Sequence, residues 1–335
     1  MRQRGVLVAA LAIVALVAAA CSGGTPSAHS GSTTTSTTVA AAAGTGGWSS
    51  AIHLAPGVDL GVVSCPVAGY CLAGSTAGVT YRLAAGQITD LGPAIPAPSP
   101  QGTDFLTCPT ATECVAVPST NQATVFNGTA WGAPATIAGA QGFTAVGCAG
   151  ASFCAAIDGE GNAFLFDGSR WSGNVGAWGA ANAISCTSAQ FCVAAEGGPS
   201  IWNGRAWTQP TDSDTQGQLN GVSCASASFC AAVDSDGDVL TWNGSVFSAP
   251  LPIATELPVT GTDASGLTSV SCPSATFCVA VDSIGRAFTF NGTKWDAGLL
   301  IDNGHTLTSV SCASPDYCVT VDRQGNAFVL DSSKA

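Results

Sequence analysis

Carboxylates are the side chains of this sequence best spaced for chemistry. Asp234-Ser235-Asp236-Gly237-Asp238 sets three of them at alternate positions, a pattern that could offer oxygens to Ca²⁺. Asp212 and Asp214 precede it closely enough to approach the same place. Asp234 also recurs at a fixed turn position elsewhere in the chain, so only Asp236 and Asp238 are additional, and a solvated acidic turn is the plain alternative. Asp302 and His305 form a second candidate, an acid/base pair just before Ser309. A lone histidine in a glycine-containing loop is more often simply solvated. His53 falls on a strand expected to close the fold and reads as structural. No other cofactor is expected.

The cysteines are more orderly. Fourteen of the 15 form seven C-x5-C pairs: Cys65/Cys71, Cys108/Cys114, Cys148/Cys154, Cys186/Cys192, Cys224/Cys230, Cys272/Cys278 and Cys312/Cys318. Successive first cysteines lie 43, 40, 38, 38, 48 and 40 residues apart. Structural zinc wants four convergent ligands at short spacings, and the chain has only 3 histidines. Redox sites use C-x-x-C in an electropositive setting. A disulfide inside each repeat fits better, because paired strands would bring the two Cα atoms within reach. Each small loop so closed contributes at most about 2–2.5 kcal/mol by chain entropy.

The elements that carry these residues repeat with the cysteines. Residues 267–295, LTSVSCPSATFCVAVDSIGRAFTFNGTKW, are the best-formed unit. Strand A ends at the first cysteine, with an apolar residue two before it (Val63, Leu106, Val146, Ile184, Val222, Val270, Val310). Strand B starts at the second and has a small residue two after it (Ala73, Ala116, Ala156, Ala194, Ala232, Ala280, Thr320), as convergence on an axis would favour. The B–C connection is D-x-x-G at Asp158, Asp234, Asp282 and Asp322, where Asp caps the turn and Gly takes positive φ. The C–D connection is N-G or D-G at Asn127, Asp167, Asn203, Asn243 and Asn291, a hairpin signal. Strand D opens with Trp131, Trp171, Trp207, Phe247 or Trp295. Seven such units predict an all-β, seven-bladed β-propeller with four antiparallel strands per blade. The seventh unit lacks its strand D, and a stray one, Trp48-Ser49-Ser50-Ala51-Ile52, opens the domain. That N-terminal Trp48 strand is expected to complete the last blade and remove an open edge.

Ahead of it, Val6–Ala20 is a 15-residue apolar stretch behind Arg2 and Arg4, as in a secretory signal. Ala18-Ala19-Ala20-Cys21 resembles the bacterial lipobox, with Ala where Leu is usual, which implies lipid (palmitate among it) on Cys21. The expected organisation is a lipoprotein signal peptide at 1–20, a flexible Ser/Thr/Gly/Ala linker at 21–47 and the propeller at 48–335. For the 26 residues from Ser22 to Gly47 the root-mean-square reach is about 25–30 Å. The formal charge is −12. Without Arg2 and Arg4, 7 basic residues face 21 acidic ones, a charge of −14. So few cations exclude nucleic acid as a partner and leave the lipid as the only membrane contact.

In propellers the B–C and D–A loops share one face. Here that face carries most carboxylates and all the length variation, the longest loop running from about Ser248 to Gly266. Varying loops on a rigid scaffold are where ligands bind. The opposite face, of A–B and C–D turns, is expected to carry the disulfides and the N-G turns, with almost no charge. The N-G-x-x-W segments differ in order from the Asp-box of sialidases, and Arg82, Arg170, Arg205, Arg286 and Arg323 lie in five different repeats. Asn127, Asn243 and Asn291 match N-x-[ST] only as hairpin residues.

Residues 48–335 resemble secreted and lipoprotein β-propeller repeat proteins of actinobacterial type, with SCPSxxFCVAVDxxGxxxxYNGxxW units. The resemblance implies this fold and export, and no set activity. The expected protein is a cell-surface lipoprotein on the outer leaflet of the cell membrane. It would act as a monomeric binding or scaffold module for an envelope protein or glycan. The alternative is an extracellular glycan hydrolase or lyase using loop-face carboxylates.

Overall fold

In a computed structural model the chain divides into units Met1–Thr33 and Thr34–Ala335. The structure describes residues 36–38, 47–95, 105–176, 179–210, 217–254 and 266–334. The expected signal segment, Cys21, Asp212 and Asp214 lie outside them.

The second unit is a seven-bladed β-propeller. Alternating apolar and small polar residues make short strands, and the D-x-x-G and N-G turns fold them back antiparallel. Blade 6 shows the pattern: Leu267–Ser274, Phe277–Asp282, Arg286–Phe290 and Leu299–Leu300 pair in that order. In blade 3 strand D is reduced to the bridge between Phe166 and Trp171. The other expected openers of strand D all pair with strand C.

All seven cysteine pairs are joined within their A–B hairpins: Cys65–Cys71, Cys108–Cys114, Cys148–Cys154, Cys186–Cys192, Cys224–Cys230, Cys272–Cys278 and Cys312–Cys318. Their Cα–Cα distances are 3.9–4.1 Å. These bridges stand beside the A–B turns, as expected, and they also reach into the core. Cys71, Cys114, Cys154, Cys192, Cys230, Cys278 and Cys318 are all fully buried and belong to the apolar clusters between blades. The reason is their place on strand B, an inner strand of its sheet that neighbouring blades cover. Cys114, Cys154, Cys192, Cys230 and Cys278 stand opposite Phe126, Phe166, Trp202, Trp242 and Phe290 of strand C. Cys71 and Cys318 stand opposite Leu83 and Leu330. The second cysteines are thus packing groups of the core, while Cys148, Cys224 and Cys312 stay half-buried.

The ring closes as the leftover strand predicts. Ile52–His53 pairs with Asn326–Asp331, and Trp48 bridges Leu330, so chain start and chain end share blade 7. Blade 1 gains a fifth strand, because Ser36–Thr38 pairs with Gln87–Thr89. Three residues of the expected linker therefore belong to the body.

The core is distributed rather than central. Seven apolar clusters each lie between two neighbouring blades. Val279 and Val281 of blade 6, for instance, pack on Leu307 and Val310 of blade 7. The small residues after the second cysteine are buried in these interfaces, where the sheets wedge together beside the axis. The axis itself is lined by strand A.

Two belts of side-chain hydrogen bonds tie the innermost strands from blade 4 through the closure to blade 1, and the first reaches on to blade 2. The serine before the first cysteine accepts the backbone N–H of the first cysteine one blade on: Ser64 from Cys108, Ser185 from Cys224, Ser223 from Cys272 and Ser271 from Cys312. Ser311 accepts from Cys65 and carries the belt across the closure. Nearer the loop face, Asn182, Asn220, Thr268 and Thr308 each donate to the carbonyl at the start of the next blade. Each such bond contributes about 0.5–1.5 kcal/mol, and together they fix the blade angles on which a face-spanning site depends.

Candidate functional site

Four of the B–C turns are built on an aspartate four after the second cysteine. These are Asp158, Asp234, Asp282 and Asp322, all fully buried. Their Oδ1 accepts the backbone N–H groups two and four residues on, which holds the chain for the positive φ of the turn glycine. Oδ2 is then left to be satisfied by whatever the fourth residue supplies.

That residue differs from blade to blade. Asn162 and Asn326 donate their side-chain amides to Oδ2 at 3.0 and 2.6 Å. Arg286 donates Nε at 2.6 Å to Asp282, a buried ion pair whose guanidinium also lies 5.0 Å from the Phe288 ring centroid. In blade 5 the fourth residue is Asp238. It has no donor to give, and Asp234 Oδ2 is buried without a hydrogen-bond partner. Burial first, then the charges of Asp234 and Asp236, push the Asp238 carboxyl above the usual range. A Cβ on Gly217 would stand 3.0 Å from both Asp234 Oδ2 and the Asp236 carboxyl carbon, so the glycine leaves these two acids a common space.

Blade 4 holds the site that the D-x-x-G signature hides. Glu196 sits four after Cys192, in the place of the capping aspartate. It is 7% exposed, and its Oε1 has no hydrogen-bond partner. Burial pushes its carboxyl up to about 7, against the pull of Ser200 and the Gly179 backbone. Counting four from the second cysteine would have found it.

In blade 7 the turn meets a second loop. His305 Nδ1 lies 2.9 Å from Asp302 Oδ1, as their spacing suggests. The two stand beside Asp322, and the ligand atoms of all three lie within 4.8 Å of one another. It is the one group of three such side chains so close among the described residues, and it is not the Asp234–Asp236–Asp238 set. Ser309 does not serve the pair: its Oγ accepts the Val63 backbone N–H at 3.1 Å. His53 is structural as read, its Nδ1 2.5 Å from Asn326 Oδ1 across the closing strands.

A cavity of about 420 Å³ runs into the axis, lined by strand A of every blade. Asp59, Thr76, Thr306 and Arg323 of the D–A and B–C connections border it, with Arg323 and Asp59 ion-paired at 3.5 Å. The opposite face is uniform. Its hairpin side chains (Asn127, Asp167, Asn203, Asn243, Asn291) spend Oδ1 on the backbone of their own turns. Asp167 is held down at about 2 by its hydrogen bonds from Ser169 and the Arg170 backbone.

No family model and no curated protein matches the chain. Solved structures do. "YCF48 bound to D1 peptide" superposes with a TM-score of 0.67 at 12% identity, over 85% of this chain and 96% of that one. "Crystal structure of RRP9 WD40 repeats" gives 0.70 at 10% identity, over 82% and 94%. The Neurospora crassa Pan2 WD40 domain gives 0.63 at 11%, over 81% and 88%. At these identities the likeness establishes the propeller fold alone.

Proposed function

We propose that this protein is an exported lipoprotein, held at the cell envelope through Cys21, whose loop face captures an extended, positively charged segment of a partner protein. The observation that carries the reading is the axial cavity. All seven blades line it, Asp59 and Arg323 border it as an ion pair, and side-chain hydrogen bonds tie the strands around most of it. A pre-formed depression on a chain of formal charge −12 favours a cationic, extended ligand. The peptide held by a neighbour of the same fold makes such an occupant reasonable. Seven disulfides fit an oxidising compartment, and lipidation would account for the cysteine outside the repeats. Ca²⁺ at Asp234, Asp236 and Asp238 belongs to this reading as a brace of the acidic loop.

Glu196 gives a second reading some support. A carboxyl titrating near 7 has a general acid's protonation at neutral pH, as a glycan-cleaving enzyme would require. Capture is preferred because that carboxyl is buried.

Photo-crosslinking in intact cells separates the readings. A benzophenone amino acid at Thr76 or Gln324, on the loop face, should give an adduct with one envelope protein. The same label at Ser228 or Thr276, on the hairpin face, should give none. Adducts from the hairpin face alone would overturn the assignment. Cys21→Ser should move the protein from the membrane to the soluble fraction, and its retention on the membrane would refute the anchor. A Ca²⁺-dependent thermal shift that Asp236→Asn abolishes would support the brace.

A further inference from the structure

The junction of blades 6 and 7 brings two buried carboxyls together beside a single imidazole. Asp302 and Asp322 are 8% and 0% exposed and bring carboxylate oxygens within 4.8 Å of each other. Two buried carboxylates so close do not both stay ionised without a cation or a proton between them. Asp322 is already placed by three donors: the backbone N–H groups of Gln324 and Asn326 on Oδ1, and the Asn326 amide on Oδ2. Asp302 engages His305 through Oδ1, while its Oδ2 is buried and has no hydrogen-bond partner. The site is therefore one acceptor oxygen in excess.

The backbone holds these groups ready. Ile301 and Asp302 donate their N–H groups to the Gly285 carbonyl, pinning the D–A loop to the blade 6 turn. A Cβ on Gly285, at φ +94°, would stand 1.6 Å from the Asp302 carbonyl oxygen, so only glycine allows this approach. The Asp302 and His305 side chains cross from this anchored loop to the buried acid of blade 7. His305 remains 46% exposed and gives access from solvent.

We propose that Asp302, His305 and Asp322 bind one divalent transition-metal cation, Zn²⁺ being the natural probe. An imidazole with two carboxylates suits first-row ions, whereas Ca²⁺ and Mg²⁺ prefer all-oxygen sets. At bond lengths of about 2.0–2.2 Å, donors 2.9 Å apart can take adjacent positions on one ion. The ion would satisfy the orphaned oxygen and neutralise the pair. It would also brace the closure, because Asp322 connects through Asn326 to His53 on the N-terminal strand.

The test is calorimetric titration of the full chain, stripped with EDTA, with Zn²⁺, Mn²⁺ and Ca²⁺, alongside thermal melts. One Zn²⁺ should bind per chain and raise the melting temperature as its concentration rises. His305→Gln and Asp302→Asn should each weaken binding roughly 100-fold or more, whereas Glu160→Gln, at an exposed turn of blade 3, should leave it unchanged. His305 is exposed, so its variant remains informative if Asp302→Asn folds poorly. Undetectable Zn²⁺ binding by the wild type would overturn the proposal and leave a shared proton as the solution. Unaltered affinity in His305→Gln, or Ca²⁺ binding as tightly as Zn²⁺, would overturn it equally.

Discussion

The B–C turns of blades 5 and 6 share one backbone and differ in chemistry. Both bury an aspartate four residues after the second cysteine, and both use its Oδ1 to hold the turn. In blade 6 the next available side chain is Arg286, and Asp282 is neutralised within its own turn. In blade 5 it is Asp238, and the turn gathers three acids with one buried oxygen unanswered. One substitution on a fixed scaffold thus separates a turn that only stabilises the blade from a turn with capacity for a ligand. Blade 4, with Glu196, falls on the same side as blade 5.

The largest expected effect breaks the satisfied member of the pair. Arg286→Ala strands a buried carboxylate, and equilibrium denaturation should show a loss of about 3–5 kcal/mol. A loss under about 1 kcal/mol would mean that Asp282 is not compensated by Arg286, and the contrast would dissolve.

Glu196→Gln sharpens the contrast from the other side. The folded-state pKa of Glu196, about 7, lies above its ordinary 4.5, so between these values the native protein binds the extra proton. Its contribution is fully present below pH 4.5 and is lost as pH rises towards 7. The amide variant should therefore be more stable than the wild type by about 1–3 kcal/mol at pH 8 and equal to it at pH 4. Denaturant melts at the two pH values check this, and an unchanged difference would count against it.

Asp238→Asn gives blade 5 the donor that Asn162 and Asn326 give their own blades. It should stabilise the protein by about 1 kcal/mol. It should also weaken any cation binding in that turn. Destabilisation would show that Asp238 already has a compensating partner.

Most of the fold is written in the sequence because each blade repeats the same local rules. The cysteine period, D-x-x-G, N-G and the Trp at strand D are short-range signals, and the unmatched Trp48 segment locates the closure. The pairing of the cysteines is local and legible, whereas the burial of Cys230 or Cys278 depends on the blade packed against it. The serine before the first cysteine recurs in five of the seven units. Its role was hidden because its partner lies one blade, some 40 residues, further on. The candidate sites are legible only in part. Asp302 and His305 pair as their spacing suggests, yet Asp322 joins them from another loop, 20 residues away in sequence, through blade packing that no local pattern encodes. Glu196 escaped because its turn is two residues shorter than the D-x-x-G turns and loses the motif.

The central claim is that the loop face carries carboxylates its own fold leaves uncompensated. A ¹³C titration of the side-chain carboxyls in the oxidised, metal-free protein tests it most directly. The account predicts a Glu196 midpoint near 7, with Asp238 and Asp302 displaced above ordinary aspartates. Ordinary carboxylate midpoints at all three would contradict it.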